Sequence, residues 1–233
     1  AATMSSDAAT AYRLLHDFEV SAGDWIIQSD ATSPVGVAVV QMAREMGIKT
    51  INVVDSNAPN GDKTLKLLTN LGGDINCTDL YVHSADMNSA LKGQNVKLAI
   101  CGVNGDVNTH MSRVLAPGSI MVTHSTSVNA KNFAIPAEIK TEHKHFDIAA
   151  WYGSCTPVAK ATMFGEIAAS IREHKLSMFF QEHDFDDFDW AHKTSADQYA
   201  LRKVVLRMDH PDRMAEHDAL GDDAYYVFET DHK

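Results

Sequence analysis

The sequence lacks several features that would place it in a familiar class. Its 233 residues include only three cysteines, widely spaced, so no disulfide framework is expected, and a reducing compartment or the mitochondrial matrix fits better. Lysine and arginine number 20 against 31 acidic residues, and the net charge of -11 argues against unaided binding to nucleic acid or anionic lipid. No apolar run approaches the length of a membrane span, so no membrane insertion is expected.

Residues 23–43 are the most informative stretch, because they predict a buried strand, a tight turn and a helix. Residues 25–27 are a short apolar run, and residues 37–43 have a mixed helical period. Residues 50–54 supply a second strand. A strand, a turn opening a helix and a parallel strand within about thirty residues form a unit that binds a dinucleotide pyrophosphate at the helix N-terminus.

The turn itself does not carry the Gly-x-Gly-x-x-Gly fingerprint of such units. Its only glycine between Asp30 and Val37 is Gly36, so the motif signal is weak. Pro34 suits a first helical turn, and Thr32 or Ser33 could cap the helix or donate a hydroxyl to phosphate. An ordinary strand-to-helix turn without a ligand remains the alternative.

Strand and helix signals continue to alternate along the chain. Helices are predicted at residues 63–71, 85–91, 106–115 and 158–174, and strands at 74–78, 96–101, 119–123 and 203–206, with weaker strands at 133–135 and 146–151. Strands separated by helices of this length imply a parallel sheet covered on both faces. The predicted fold class is therefore α/β, a Rossmann-type doubly wound sheet.

Several separated blocks match a known family in order. They are Ala-Ala-Thr-Met-Ser at 1–5, Thr-Ala-Tyr-Arg-Leu-Leu at 10–15, Gly-Asp-Trp-Ile-Ile-Gln at 23–28, Ser33 with Val35 and Gly36, and Gly-Ile-Lys-Thr-Ile-Asn-Val-Val at 47–54. The chain thereby resembles the mitochondrial trans-2-enoyl-coenzyme A reductases of the medium-chain dehydrogenase/reductase superfamily, in its zinc-free, quinone-oxidoreductase-like branch. The resemblance implies a Rossmann-like dinucleotide-binding domain over residues 1–208, followed by an acidic extension over 209–233.

The resemblance also implies a cofactor site, and it places no catalytic residue in this chain. The implied cofactor-binding residues are Ser29, Thr32, Ser33, Val35, Gly36, Val37, Asp55, Gly102, Val103, Thr123, His124 and Trp151. The family's proton-donating tyrosine belongs to an N-terminal barrel-like domain, and Ala1 already aligns with the junction after it. We therefore expect that a targeting peptide has been removed or that the N-terminal part is absent. Trp151 has core packing as its alternative role.

Several positions depart from the family pattern, so NAD(P)H binding is expected to be weakened. Asp55 replaces an arginine that can pair with the 2'-phosphate of NADPH. An acid there could instead accept from the ribose hydroxyls of NAD, or it could be a solvated turn residue. Asp7 replaces a junction asparagine, Asn104 replaces a glycine, and Ser125 with Thr126 replace a glycine pair. Side chains now stand where backbone should approach the ligand.

Two histidine-containing segments, residues 142–145 and 182–184, do not have the spacing of a zinc site, and no metal is expected. Cys155 is expected to be a packed thiol. In residues 179–190 aromatics alternate with acids; we expect Phe185, Phe188 and Trp190 to anchor a loop in the core, with a partner-binding patch as the alternative. The acidic extension carries a late aromatic group that either docks on a partner or folds back.

Two functions compete on these observations. The first is a degenerate reductase that acts as a structural or assembly subunit of a larger mitochondrial complex such as the mitoribosome, inactive as an enzyme on its own. The alternative is an NAD(P)H-dependent trans-2-enoyl-thioester reductase of mitochondrial fatty-acid synthesis, acting on coenzyme A or acyl-carrier-protein substrates, whose catalytic domain lies outside this chain. Protein partners or a homodimer through residues 141–152 are expected, and the expected location is the mitochondrial matrix.

Overall fold

A six-stranded parallel sheet organises the chain in a computed structural model that describes residues 3–82, 85–91, 93–124, 139–195 and 202–207. Its strands are β1 (Trp25–Gln28), β2 (Lys49–Val54), β3 (Ile75–Thr78), β4 (Val96–Cys101), β5 (Ile120–Thr123) and β6 (Glu142–His145). Their spatial order is β3-β2-β1-β4-β5-β6, all parallel, so the order reverses between β1 and β4. The predicted Rossmann-type sheet is confirmed.

Helices cover both faces of this sheet. After a π-helical turn (Met4–Ala8) come α1 (Ala9–His16), α2 (Pro34–Glu45), α3 (Gly61–Leu71), α4 (Asp79–Val82), α5 (Ala85–Ala90), α6 (Asp106–Ser112), α7 (Ile148–Ser154), α8 (Pro157–Arg172) and α9 (Phe188–Ser195). Strands β7 (Phe180–Asp184) and β8 (Lys203–Arg207) pair with each other in a separate parallel sheet. Within the described ranges, no helix is long and apolar enough to cross a bilayer.

The central strands bury both of their faces. Ile26 packs into a cluster with α1, α2 and α8, whereas its neighbour Ile27 packs into a second cluster on the other side. Leu98 and Ala99 of β4 divide between the same two clusters. Successive side chains of a strand point to opposite faces, so a sheet covered by helices on both sides needs continuous apolar strands.

A row of side-chain amides crosses three strands inside this apolar sheet. Gln28 Nε2 donates to Asn52 Oδ1 at 2.8 Å, and Asn52 Nδ2 donates to Asn76 Oδ1 at 2.8 Å. Asn76 Nδ2 then donates to Thr69 Oγ1 at 3.0 Å. The row satisfies Asn52, which is fully buried, and connects β1, β2 and β3 to α3. Buried amides are tolerated only when they are paired in this way.

Breaking the middle of this row should destabilise the chain. We expect Asn52→Ala to lower the free energy of unfolding by about 2–4 kcal/mol, because the buried Gln28 and the half-buried Asn76 each lose a hydrogen-bond partner. Thr69→Val, at the exposed end of the row, should cost less than about 1 kcal/mol. Urea unfolding measures both values. Equal losses in the two variants would show that the row does not contribute through burial.

The structure corrects the prediction around residue 146. Residues 146–151 were predicted as a strand, but the strand is β6 and the following residues form α7. Asp147 explains the difference, because its Oδ1 accepts from the backbone N–H of Ala149 at 2.8 Å and caps the helix. The helix predicted at 106–115 ends at Ser112. The strand predicted at 133–135 and the acidic extension at 209–233 lie outside the described residues.

The aromatic and acidic segment is also different from the expectation. Residues 179–190 form β7, a short 3-10 turn (Phe185–Asp187) and the beginning of α9 instead of a loop. Phe185, Phe188 and Trp190 are 53%, 51% and 60% exposed, so the expectation that they anchor in the core was wrong. Acidic residues alternate with these aromatic residues along the segment. The segment lies at the surface, and the three rings are exposed.

Candidate functional site

A cleft of about 350 Å³ opens at the carboxyl ends of the strands, beside the reversal of strand order between β1 and β4. Four residues predicted from the sequence line it: Ser33, Val35, Gly102 and His124. In open parallel sheets, ligands bind in the crevice outside these strand ends at the point of reversal. The cleft is therefore the candidate site.

The turn between β1 and α2 forms one wall of the cleft. Ser33 Oγ accepts from the backbone N–H of Gly36 at 3.0 Å, so Ser33 is the helix cap. Pro34 is the first helical residue, and helix geometry leaves the amide of Val35 without an intrahelical acceptor. A Cβ on Gly36 would lie 2.5 Å from the carbonyl oxygen of Asp30. The glycine is therefore required by packing of the helix on its own turn.

The loop after β4 is held from inside by Ser29, which was predicted as a site residue, and by Asn108, which was not. Ser29 Oγ donates to Asn108 Oδ1 at 3.1 Å and accepts from the backbone N–H of Gly102 at 3.2 Å. Asn108 Nδ2 donates to the carbonyl oxygen of Val103 at 2.6 Å. Ser29 therefore fixes the loop and uses its hydroxyl there. A Cβ on Gly102 would come within 3.1 Å of His124 Nε2, so the glycine allows the loop after β4 to lie close to the His124 ring.

The ends of β5 and β6 contribute two imidazoles. Thr123 Oγ1 and His145 Nδ1 share a hydrogen bond of 2.9 Å, which holds the side chain of the otherwise exposed His145 against β5. Burial, and secondly the neighbouring His145, lower the pKa of His124 to about 4. The ring of His124 is therefore neutral at physiological pH and offers a hydrogen-bonding edge to the cleft rather than a charge.

Asp55 lies at the end of β2, exposed and outside the residues that line the cleft. Its Oδ1 accepts from the backbone N–H of Asn57 at 2.8 Å and from Asn57 Nδ2 at 3.0 Å. These bonds agree with the turn role that the sequence left open. The negative charge nevertheless stands at the strand end where the ribose hydroxyls of a dinucleotide are bound in this fold.

Three further predicted residues are placed away from the cleft lining. Thr32 and Val37 are 8% and 2% exposed and belong to the packed turn and helix. Trp151 lies in α7, packs against the larger core cluster and has the guanidinium of Arg13 at 4.7 Å from its ring centre. The placement of Trp151 favours the packing alternative.

Two acids and one imidazole of the cleft, Asp30, Asp147 and His145, were not predicted as site residues. Asp7, which replaces the junction asparagine, also lines the cleft. Asp7 Oδ2 is paired with Lys203 Nζ at 3.1 Å, whereas no lysine or arginine is among the described residues that line the cleft. Asp30 and Asp147 each follow closely on the carboxyl end of a strand, which is the sequence signal that could have found them.

The cysteines have packing roles, and the histidine-rich segments form no metal site among the described residues. Burial raises the pKa of the Cys77 thiol to about 12, and Cys101 is also buried. Cys155 lies 3.7 Å from the carbonyl oxygen of Tyr152, as expected of a packed thiol. Over the described parts of the chain, no three His, Cys, Asp or Glu side chains converge as metal ligands.

Comparison with known proteins finds homologues of one name. No protein-family model matches the chain. Mitochondrial enoyl-[acyl-carrier-protein] reductase from Dictyostelium discoideum is 32% identical over 210 residues, which cover 88% of this chain and 59% of the relative. The enzyme of the same name from Bos taurus is 40% identical over 214 residues, covering 89% and 57%. This chain is homologous to the mitochondrial enoyl-[acyl-carrier-protein] reductases.

The solved structures agree on the fold of this reductase homologue. A mutant form of enoyl thioester reductase from Candida tropicalis superposes with a TM-score of 0.78 at 24% identity, over 88% of this chain and 60% of that one. Another similar structure, with a TM-score of 0.76 at 24% identity, is a complex of Etr1p with NADP and crotonyl-CoA. A third, also with a TM-score of 0.76 and 24% identity over 84% of this chain and 58% of that one, is an Etr1p/Etr2p heterodimer.

The matched share of the relatives and their names add two further findings. The chain spans 59% and 57% of the length of the two relatives, so the match covers part of each of them. The predicted mitochondrial location is confirmed by the names of the relatives, which are mitochondrial proteins. The recognition from separated sequence blocks is confirmed as well.

Proposed function

We propose that the chain is the dinucleotide-binding part of an NAD(P)H-dependent enoyl-thioester reductase. The observation that carries this proposal is the cleft at the reversal of strand order, walled by the Ser33-capped N-terminus of α2, in a chain homologous to named reductases. Helix N-termini at this point of the fold bind pyrophosphate. The crotonyl-CoA and NADP of the similar complex support the substrate class.

The residues present fit a dinucleotide in part. The α2 N-terminus and the amide of Val35 would hold the pyrophosphate, and Gly102 with His124 would border the nicotinamide half. A bound nicotinamide supplies the hydride of the reduction. Asp30 fits less well, because it adds negative charge near an anionic ligand, and Asp55 suits the ribose hydroxyls of NADH but would repel the 2'-phosphate of NADPH. We infer weakened binding with NADH preferred over NADPH.

The competing hypothesis of a degenerate assembly subunit, for example in the mitoribosome, gains nothing from the comparisons. That hypothesis rested on the proton donor and acyl pocket that this chain does not supply, and the named relatives instead favour the reductase. We propose that the chain alone binds nucleotide without reducing enoyl thioester, since no tyrosine is among the described residues lining the cleft. Oxidation of NADH with crotonyl-CoA by a protein made from an extended coding sequence would support the reductase function.

We also propose that the chain self-associates, but through a different contact from the one that the sequence predicted. β6 is the edge strand of the described sheet, and an unpaired edge can accept a second copy. Within the expected contact at residues 141–152, the apolar side chains pack inside the chain: Phe146 is buried in the core, and Ile148 and Trp151 pack against it. A dimer would therefore pair through the backbone of β6. Light scattering at micromolar concentrations tests this.

A negative charge placed at the α2 cap should weaken nucleotide binding without unfolding the chain. Aspartate caps helices as well as serine, so Ser33→Asp should change the free energy of unfolding by less than about 0.5 kcal/mol. NADH affinity should fall about tenfold or more, because the new carboxylate repels pyrophosphate. Calorimetric titration measures the loss.

The chain contains a matched control for this variant. Thr156 caps α8 by accepting from the backbone N–H of Ala159 at 3.1 Å, and Pro157 follows it as Pro34 follows Ser33. Thr156→Asp therefore also replaces a capping hydroxyl by a carboxylate, at a cap that does not line the cleft. NADH affinity should be unchanged in this variant. An equal loss at both caps would place the nucleotide somewhere other than the N-terminus of α2.

A further inference from the structure

Asp30 occupies a fixed position between the two walls of the cleft. It follows β1 with a φ of +62°, in the left-handed region, and its carbonyl oxygen accepts from the backbone N–H of Ser33 at 3.0 Å. On the other side, a Cβ placed on Gly102 would meet Asp30 Oδ2 at 3.2 Å. The carboxyl group is therefore held between the α2 turn and the loop after β4.

The surroundings of Asp30 disfavour its charge. Burial raises the pKa of Asp30 to about 6, and a hydrogen bond with Ser33 offsets part of that rise. The other titratable groups that face the cleft are Asp7, His124, His145 and Asp147. Asp7 is neutralised by Lys203, which reaches it from β8, and His124 is neutral. An anion entering here meets carboxylates and no lining cation.

We propose that Asp30 is the charge-selecting residue of the nucleotide site, and that a pyrophosphate occupies the N-terminal end of α2 only when the Asp30 carboxyl group has taken up a proton from solvent. This inference rests on the proposed dinucleotide binding. It adds that, where free Asp30 is ionised, one proton is taken up for each nucleotide that binds. Repulsion between the carboxylate and a phosphate inside a partly buried cleft is the physical cause.

The sign of the pH dependence follows from linkage. A bound pyrophosphate favours the neutral carboxyl group, so the pKa of Asp30 rises on binding. Above about pH 6, where free Asp30 is ionised, NADH affinity should fall as pH rises, by up to about tenfold per pH unit. Below that pH the carboxyl group is already protonated and the affinity should level off.

Calorimetric titration of NADH into the 233-residue chain at pH 6, 7 and 8, in two buffers of different ionisation enthalpy, tests this directly. At pH 8 we expect uptake of about one proton per NADH by the unaltered chain and none by Asp30→Asn, which should also bind about tenfold or more tightly. Asparagine tolerates the left-handed backbone and keeps a similar shape, so the melting temperature should not fall. That measurement separates charge from folding.

Asp147→Asn serves as the matched control. It removes another acid from the cleft lining, and asparagine can still cap α7. Its proton uptake should equal that of the unaltered chain. Proton uptake that persists in Asp30→Asn, or binding by the unaltered chain that does not change with pH, overturns the role of Asp30 while leaving dinucleotide binding intact. Failure of both the unaltered chain and Asp30→Asn to bind at pH 6 overturns the proposed function together with this inference.

Discussion

Replacing Gly36 with alanine should destabilise the chain by about 3 kcal/mol, a large effect for one methyl group in a helix. The added Cβ would lie 2.5 Å from the carbonyl oxygen of Asp30 and 2.8 Å from the Cα of Ala31. Both are backbone atoms of the turn that α2 packs against, so they cannot rotate away. The helix must shift, and with it the wall of the cleft. Chemical unfolding measures the loss.

Gly165→Ala is the control for this prediction. Gly165 also lies inside a helix, α8, but it is exposed and a Cβ there would meet nothing within 4 Å. Alanine is the better helix former by about 0.8–1 kcal/mol, so this variant should be more stable than the unaltered chain. The same substitution is thus expected to have opposite signs at the two positions. A stabilising Gly36→Ala would mean that the turn does not approach α2 as described.

Asp55→Arg should reverse the selection between the two nicotinamide dinucleotides. The unaltered chain is expected to favour NADH, because a carboxylate at the end of β2 repels a 2'-phosphate. Arginine would replace repulsion by a charge-assisted pair, so the ratio of NADPH to NADH affinity should rise on the order of 100-fold. Paired calorimetric titrations provide this ratio.

Asp55→Asn separates charge from position in this experiment. Asparagine removes the negative charge, and its side-chain oxygen can still accept from the backbone N–H of Asn57. Its affinity ratio should lie between those of the other two proteins. If the ratio is the same in all three, the nucleotide does not reach the end of β2, and Asp55 acts only within its own turn.

Local sequence signals predicted the first half of the fold because those elements are defined by their own residues. The apolar run of β1, the Ser-Pro cap and the period of α2, and the apolar β2 agree with one another. The secondary structure after β5 was harder to predict from the sequence. β6 reads Glu-His-Lys-His, a polar edge strand without apolar alternation, and the apolar residues that follow it belong to a helix started by Asp147.

The site was partly predictable for a related reason. Ser33 and Gly102 follow strands that the sequence already defined, and each lies in the cleft. Asp30 also follows β1, but an acid is not the residue type by which a sequence signals an anion site. Asp7 and Asp147 come from segments about 140 residues apart, and only folding brings them to one cleft. Convergence of this kind has no local signal.

The central claim is that this chain binds a nicotinamide dinucleotide at the carboxyl edge of its sheet. The most direct test is a titration of the unaltered chain with NADH at pH 6, followed by calorimetry and fitted for stoichiometry. We predict saturable binding of one NADH per chain, with NADPH bound more weakly. Heat indistinguishable from dilution at millimolar NADH, with the chain shown to be folded, would contradict it.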